Sequence, residues 1–281
     1  MSDEKLRRLE RRWRETGSAA DEAAWLRERA RTGDLEPERL HLAAYLGHEP
    51  ARVAVPQALG GFAHRLGKLG GPFKDAMTPF GCYEHPPSGI LAEWSTLLPE
   101  ESMEVCVRLS VATSRAALLA CSDPAFQTWG NEVIAAIETW LNGPRTPESL
   151  RILAGYWWSH TRNGPRSADP SADAIGFAIM SAQVLSSYDP EGIPDAPDDE
   201  DEFEEFCKER AEQQRPAVID VFAGAQHALG VERTSVIETM VREDLVPWLL
   251  GNGDPVAERV RARIGGEDRG SGAGRGRSSR G

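Results

Sequence analysis

Apolar residues recur every three to four positions along most of the chain, and this spacing restricts what the chain can fold into. Leu6, Leu9 and Trp13 begin the pattern, which predicts an amphipathic helix that ends at Thr16 and Gly17. Later segments keep the same period and are separated by Gly, Pro and good N-cap residues. Ala, Leu, Glu and Arg are plentiful, whereas β-branched residues are sparse. The sequence therefore predicts an all-α fold, an irregular helical array or bundle of stacked helix pairs.

Gly- and Pro-rich breaks and shifts in charge divide the chain into six segments. We predict N-terminal helices over 1–69, a Gly/Pro-rich loop over 70–89, a central helical core over 90–188, an acidic linker over 189–202, C-terminal helices over 203–265 and a disordered Gly/Arg/Ser tail over 266–281. The linker and the tail lack the apolar residues that would offset the entropy cost of ordering the chain.

Helix boundaries give sharper local predictions. Ser18 and Asp254 are expected N-caps, because each precedes a helical pattern with a side-chain oxygen that accepts backbone N–H bonds. Residues 56–69 are predicted to form one helix. Gly60 and Gly61 within it each cost about 1 kcal/mol relative to Ala, so we expect them to mark close packing or a weak turn.

The segment 101–120 is apolar almost all round, which predicts a buried helix at the centre of the fold. Arg108 and Arg115 lie within it. Buried guanidinium groups require partners, and Glu138 is the carboxylate that we expect there. Trp140, which lies on the next amphipathic helix, is expected in the core.

The net charge and the cysteines indicate the cellular compartment and the class of partner. The formal net charge of −12 disfavours binding of the whole protein to nucleic acid or to an anionic membrane. The charged start of the chain, MSDEKLRRLERRW, lacks the apolar core of a signal peptide, and no stretch approaches the length of a membrane-spanning helix. No CxxC pair occurs among the cysteines, which are Cys82, Cys106, Cys121 and Cys207. We expect a cytoplasmic protein, with Cys106 and Cys121 buried as small hydrophobes.

The loop of residues 70–89, GGPFKDAMTPFGCYEHPPSG, is the best candidate site in the sequence. Long loops inside compact domains are uncommon and are usually functional or disordered. Cys82 and His85 have the spacing of metal ligands, and a Cys beside a His is also a potential nucleophile. The alternative is a polar surface loop that is anchored by its aromatic residues. The candidate binding residues are Lys74, Asp75, Cys82, Tyr83, Glu84, His85 and, one helix earlier, His64.

Two charged segments offer other functions. The acidic run 198–202 lacks the ligand pattern of an EF-hand and is expected to be a solvated linker, or else a polyanion mimic for a basic partner. The tail carries arginines among glycines and serines, a composition that binds nucleic acid electrostatically. Four arginines on an acidic protein would bind weakly at physiological salt, so we expect a solubilising terminus instead.

Two stretches resemble known bacterial sequences. Residues 25–52 are similar to a helical segment found in many uncharacterised bacterial proteins. Residues 107–150, with VRLSVATSRAALL followed by AIETWLNGP and TPESL, resemble the helical pattern of immunity proteins from polymorphic-toxin systems. That resemblance implies an all-helical, non-catalytic protein that acts by binding a toxin, and it implies no catalytic residues.

Together these features predict a non-enzymatic protein-interaction module, an immunity or accessory factor of a bacterial conflict system. We expect its partner to be another protein, and we expect no cofactor, no metal and no membrane association. Two alternatives stay open. One is an enzyme whose site is built on the 70–89 loop with Cys82, His85 and His64. The other is a nucleic-acid-associated accessory protein that acts through the arginine-rich tail.

Overall fold

The all-α prediction is confirmed in the part of the chain that the structure describes. The computed structural model describes residues 2–68, 87–98, 102–143 and 218–271, and no strand occurs within these ranges. The helices are α1 (Ser2–Thr16), α2 (Ala19–Thr32), α3 (Pro37–Tyr45), α4 (Glu49–Ala54), α5 (Ala58–Lys68), α6 (Ile90–Leu97), α7 (Met103–Leu118), α8 (Pro124–Asn142), α9 (218–229), α10 (Thr234–Leu249) and α11 (Pro255–Ser271). None of the described helices is long and apolar enough to cross a membrane.

The first two helices form where the sequence predicts them. Ser18 caps α2, since its hydroxyl oxygen accepts the backbone N–H of Asp21 at 3.1 Å. Gly33, with a φ of +82°, ends α2 in the left-handed region that glycine adopts easily. α1 packs on α2 through stacked indoles, with 4.6 Å between the ring centroids of Trp13 and Trp25.

The region after α3 differs from the prediction. α4 was not predicted, because a helix of six residues is too short to show a hydrophobic period. α5 is also shorter than the predicted helix over 56–69. Gly60 and Gly61 are exposed, and a methyl group added at either would meet no described atom within 4 Å, so the interpretation that they mark close packing is wrong.

The core is centred on α7, which is buried on nearly all sides as predicted. α10 packs against α7 and also contacts α3, so the C-terminal helices lie against the N-terminal ones. Trp94 and Phe222 are fully buried in the larger hydrophobic cluster, which contains residues of α2 to α7, α9 and α10. Trp140 is buried in a second cluster of α7 and α8 that also includes Val256 of α11.

The last described helix is capped as predicted but extends further. Oδ1 of Asp254 accepts the N–H groups of Val256 and Ala257 at 3.0 and 3.2 Å. α11 continues beyond the predicted end at Ile264, as far as Ser271. The acidic linker over 189–202 and the remainder of the predicted tail, 272–281, lie outside the described residues.

Candidate protein-interaction surface

The structure describes only one of the predicted site residues. His64 lies on α5, and its side chain is exposed. The others lie outside the described residues: Lys74, Asp75, Cys82, Tyr83, Glu84 and His85. The hypothesis of a site on the 70–89 loop therefore stays a prediction.

Both described cysteines are buried, as the sequence indicated. Cys106 and Cys121 are 0% and 5% exposed. Burial raises the pKa of the Cys106 thiol to about 12, because the thiolate would lose its hydration in the core. Cys106 is therefore protonated at neutral pH and is a poor nucleophile.

We expect Cys106 to resist alkylation by iodoacetamide at pH 8 in the folded protein and to react readily in denaturant. The thiolate is the reactive form, and unfolding both exposes the sulfur and restores its ordinary pKa. Peptide mass spectrometry measures this cysteine separately from the other three. Rapid labelling of Cys106 in the folded protein would contradict its burial.

The buried arginines of α7 are paired, but not with the predicted partner. Nη1 and Nη2 of Arg108 donate to the two carboxylate oxygens of Asp254 at 3.0 and 2.8 Å. Its Nε donates to Glu104 at 3.0 Å. Glu138 instead forms ion pairs with Arg259 and Arg263, each at 2.7 Å, so the predicted pairing with α7 is wrong. α11 lies alongside α8 and supplies these two arginines.

The second arginine of α7 belongs to a buried charge cluster. Arg115 donates to Asp244 at 2.8 Å, and Arg259 donates to both oxygens of the same carboxylate at 2.7 and 2.8 Å. Asp244 is only 3% exposed. This carboxylate therefore joins α7, α10 and α11 by charge-assisted hydrogen bonds.

A concave site lies where α3, the start of α7 and the end of α10 meet; we call it the acidic cleft. It has a volume of about 280 Å³. Its lining residues are Glu36, Glu38, Arg39, Leu42, Ser102, Glu104, Val105, Trp248 and Leu249. Leu42, Val105 and Leu249 are buried and provide an apolar floor beside the Trp248 indole.

The Trp248 side chain is fixed between two guanidinium groups. Arg39 lies over the indole at 4.6 Å from the ring centroid, and Arg108 lies over it at 4.3 Å. Nη2 of Arg39 also donates to the Trp248 carbonyl at 2.5 Å. Burial raises the pKa of the Asp254 carboxyl, but the hydrogen bonds and positive charge of Arg108, together with the backbone N–H groups of Val256 and Ala257, outweigh burial and hold that pKa below its usual range. Asp254 thus stays ionised and keeps Arg108 in place at neutral pH.

The rim of the acidic cleft carries carboxylates that have no cationic partner in the described part of the chain. Glu36 and Glu38 flank Pro37 at the start of α3, and both side chains are exposed. Neither forms an ion pair or a side-chain hydrogen bond with another described residue. With Glu104 and Arg39 included, the lining residues have a formal charge of −2.

Comparison with known proteins identifies no family, and the described residues contain no metal site. No family model, curated protein or solved structure matches the chain. The resemblance of residues 107–150 to immunity proteins therefore stays a prediction. Within the described ranges, no group of three or more His, Cys, Asp or Glu side chains is arranged to hold a metal ion.

A second groove lies between α1, α2 and the end of α10, with a volume of about 550 Å³. Its charged lining residues are balanced, with Glu10 and Asp34 opposite Arg14 and Arg29. Arg29 is already stacked on the Trp25 ring at 4.8 Å from its centroid. This groove therefore shows no preference for the charge of a ligand, unlike the acidic cleft.

Sequence reasoning missed the acidic cleft. Glu36 and Glu38 lie more than 200 positions before Trp248, and only the packing of α10 on α3 brings them together. One local signal was present. A Trp at the end of a helix, directly after Pro247, suggests a side chain placed at the boundary of the core.

Proposed function

We propose that this protein is a non-enzymatic protein-interaction module and that the acidic cleft is part of its binding surface. The observation that carries this proposal is the Trp248 side chain, held by Arg39 and Arg108, in one cleft with the exposed carboxylates of Glu36 and Glu38, which have no cationic partner among the described residues. Preorganised sites lose little entropy on binding, and tryptophans held in pockets often dominate interface energetics. The cleft combines such an anchor with polar groups at its rim.

The buried carboxylates of Glu28, Glu138 and Asp244 are held in ion pairs between helices, which favours a structural role for them over a catalytic one. The carboxylate of Glu28 accepts hydrogen bonds from Lys5 and Arg31 at 2.6–3.0 Å. Glu138 and Asp244 are held by arginines in the same way. These pairs stabilise helix contacts, whereas the carboxylates of Glu36 and Glu38 at the rim of the acidic cleft are exposed to solvent.

The resemblance of residues 107–150 to immunity proteins suggests a biological setting. We propose an immunity or accessory factor of a bacterial conflict system, acting in the cytoplasm on another protein. The cleft residues at the start of α7, which are Ser102, Glu104 and Val105, lie just before that segment along the chain.

Affinity purification from native cells tests the proposed function. We would compare the wild-type protein with Glu36→Lys/Glu38→Lys in the acidic cleft and with a matched control, Glu132→Lys/Glu232→Lys. All four glutamates are exposed, so the variants share the same charge change and should all fold. We expect one protein to co-purify with the wild type and the control at similar levels, and to be depleted at least about tenfold by the cleft variant, as charge reversal at an interface costs more than 1.4 kcal/mol.

Equal recovery of every co-purifying protein by the cleft variant would contradict the assignment of this surface. Circular dichroism of all three proteins verifies that they retain the helical fold. A catalytic turnover that depends on Cys82 or His85 would instead favour the enzyme hypothesis.

A further inference from the structure

We infer that the acidic cleft binds one lysine or arginine side chain from a basic protein partner. This inference rests on the proposed function and names the chemistry of the partner. Three features of the cleft carry it: its size, its apolar floor and the sign of its charge.

The size of the cleft limits what can enter. A volume of about 280 Å³ accommodates one long side chain, whereas a helix with its side chains is roughly 10 Å wide and has to remain outside. The partner therefore inserts a single residue into the cleft, and the rest of its surface contacts the rim.

The floor and the rim suit the two ends of such a side chain. Lysine and arginine have an apolar stem and a charged head, and they bury the stem against apolar surfaces while the head stays solvated. The partly exposed Trp248 side chain offers the apolar surface, at the base of which Leu42, Val105 and Leu249 are buried. Glu36 and Glu38 are exposed above it and accept hydrogen bonds from an ammonium or guanidinium group.

The other charges that face the cleft leave this preference intact. The guanidinium group of Arg39 lies over the Trp248 ring and donates to the Trp248 carbonyl, so it contacts the floor of the cleft and not the rim carboxylates. Arg108 lies on the indole as well and is neutralised by Glu104 and Asp254. Because the two rim carboxylates have no cationic partner within the described ranges, the remaining attraction is for a cation.

The charge of the whole chain acts in the same direction. A net charge of −12 draws basic proteins toward the surface and repels phosphate groups. A basic protein is therefore favoured as the partner over a nucleic acid.

The test uses the full-length ¹⁵N-labelled protein and three probes. The first probe is the blocked tripeptide Ala-Lys-Ala. The second is Ala-norleucine-Ala, which keeps the aliphatic stem but lacks the ammonium group, and the third is a short single-stranded DNA. The readout is the indole N–H signal of Trp248 in two-dimensional NMR spectra, assigned with Trp248→Phe. We expect the lysine peptide to shift this signal and the other two probes to leave it in place.

Glu36→Gln/Glu38→Gln should weaken binding of the lysine peptide roughly fivefold, because exposed charge pairs are individually weak. The matched control Glu132→Gln/Glu243→Gln removes two exposed acids from α8 and α10 and should have no effect on the shift. Equal shifts from the lysine and norleucine peptides would overturn the inference, as would equal weakening by both variants or a shift caused by DNA. If these probes fail while the co-purifying protein still depends on Glu36 and Glu38, the inference is wrong and the proposed function stands.

Discussion

Replacing Asp244 with alanine should lower the free energy of unfolding by about 3–5 kcal/mol. The carboxylate is 3% exposed and holds Arg115 and Arg259 at 2.7–2.8 Å. Its removal leaves Arg115 without a carboxylate partner among the described residues and leaves Arg259 with Glu138 alone, so the desolvation of two partly buried guanidinium groups is no longer fully compensated. The measurement is a urea denaturation curve followed by far-ultraviolet circular dichroism.

Glu243→Ala is the matched control for this prediction. Glu243 precedes Asp244 on α10 and is exposed, so its removal deletes one acidic side chain from the same helix without breaking a buried pair. We expect its unfolding free energy to stay within about 0.5 kcal/mol of the wild type. Similar losses in the two variants would show that Asp244 acts through the net charge of the helix instead of through its buried contacts.

The local structure of the described chain could be predicted from the sequence because it depends on neighbouring residues. Ser18 and Asp254 accept hydrogen bonds from backbone N–H groups two or three positions later in the chain. The residue type and the helical pattern that follows it are therefore sufficient to predict each N-cap. The burial of α7 follows from its apolar residues in the same way. α4 could not be predicted, because a helix of about one and a half turns is too short to show a hydrophobic period.

Partners that are distant in sequence could not be predicted. The sequence showed that Arg108 needs a partner, but the choice of Asp254 over Glu138 depends on how α11 packs against α8 and α10. The sequence placed Glu138 near because it is close along the chain. Ion pairs between helices depend on tertiary packing, and the hydrophobic period of a helix does not show which helix packs against it.

The candidate site shows the same limit. The unusual composition of residues 70–89 predicted a site on that loop, together with His64. Of these predicted site residues, the structure describes His64. The acidic cleft instead consists of ordinary residues, Glu36, Glu38 and Trp248, which are notable only for their arrangement. A rim carboxylate beside an apolar floor is a property of the packed surface.

The Asp254→Ala variant should lose about 3–5 kcal/mol of unfolding free energy from the broken ion pair and about 1 kcal/mol from the lost cap. Asp254 both caps α11 and holds the guanidinium of Arg108, which is 2% exposed. Without Asp254, Arg108 retains only Glu104 in the described structure and is left under-compensated beneath the Trp248 ring. Chemical denaturation gives the stability, and Trp248→Phe identifies the fluorescence contribution of that indole.

Asp123→Ala separates the two effects of the Asp254 substitution. Asp123 caps α8 through the N–H groups of Ala125 and Phe126, but it is exposed and forms no ion pair with a described residue. Its loss should therefore cost only about 1 kcal/mol. If the ion pair is the larger effect, adding Arg108→Met to Asp254→Ala should restore part of the lost stability, because the charge that needs compensation is then gone. Equal losses from Asp123→Ala and Asp254→Ala would show that capping alone explains the effect and that Trp248 does not depend on Asp254 for its position in the acidic cleft.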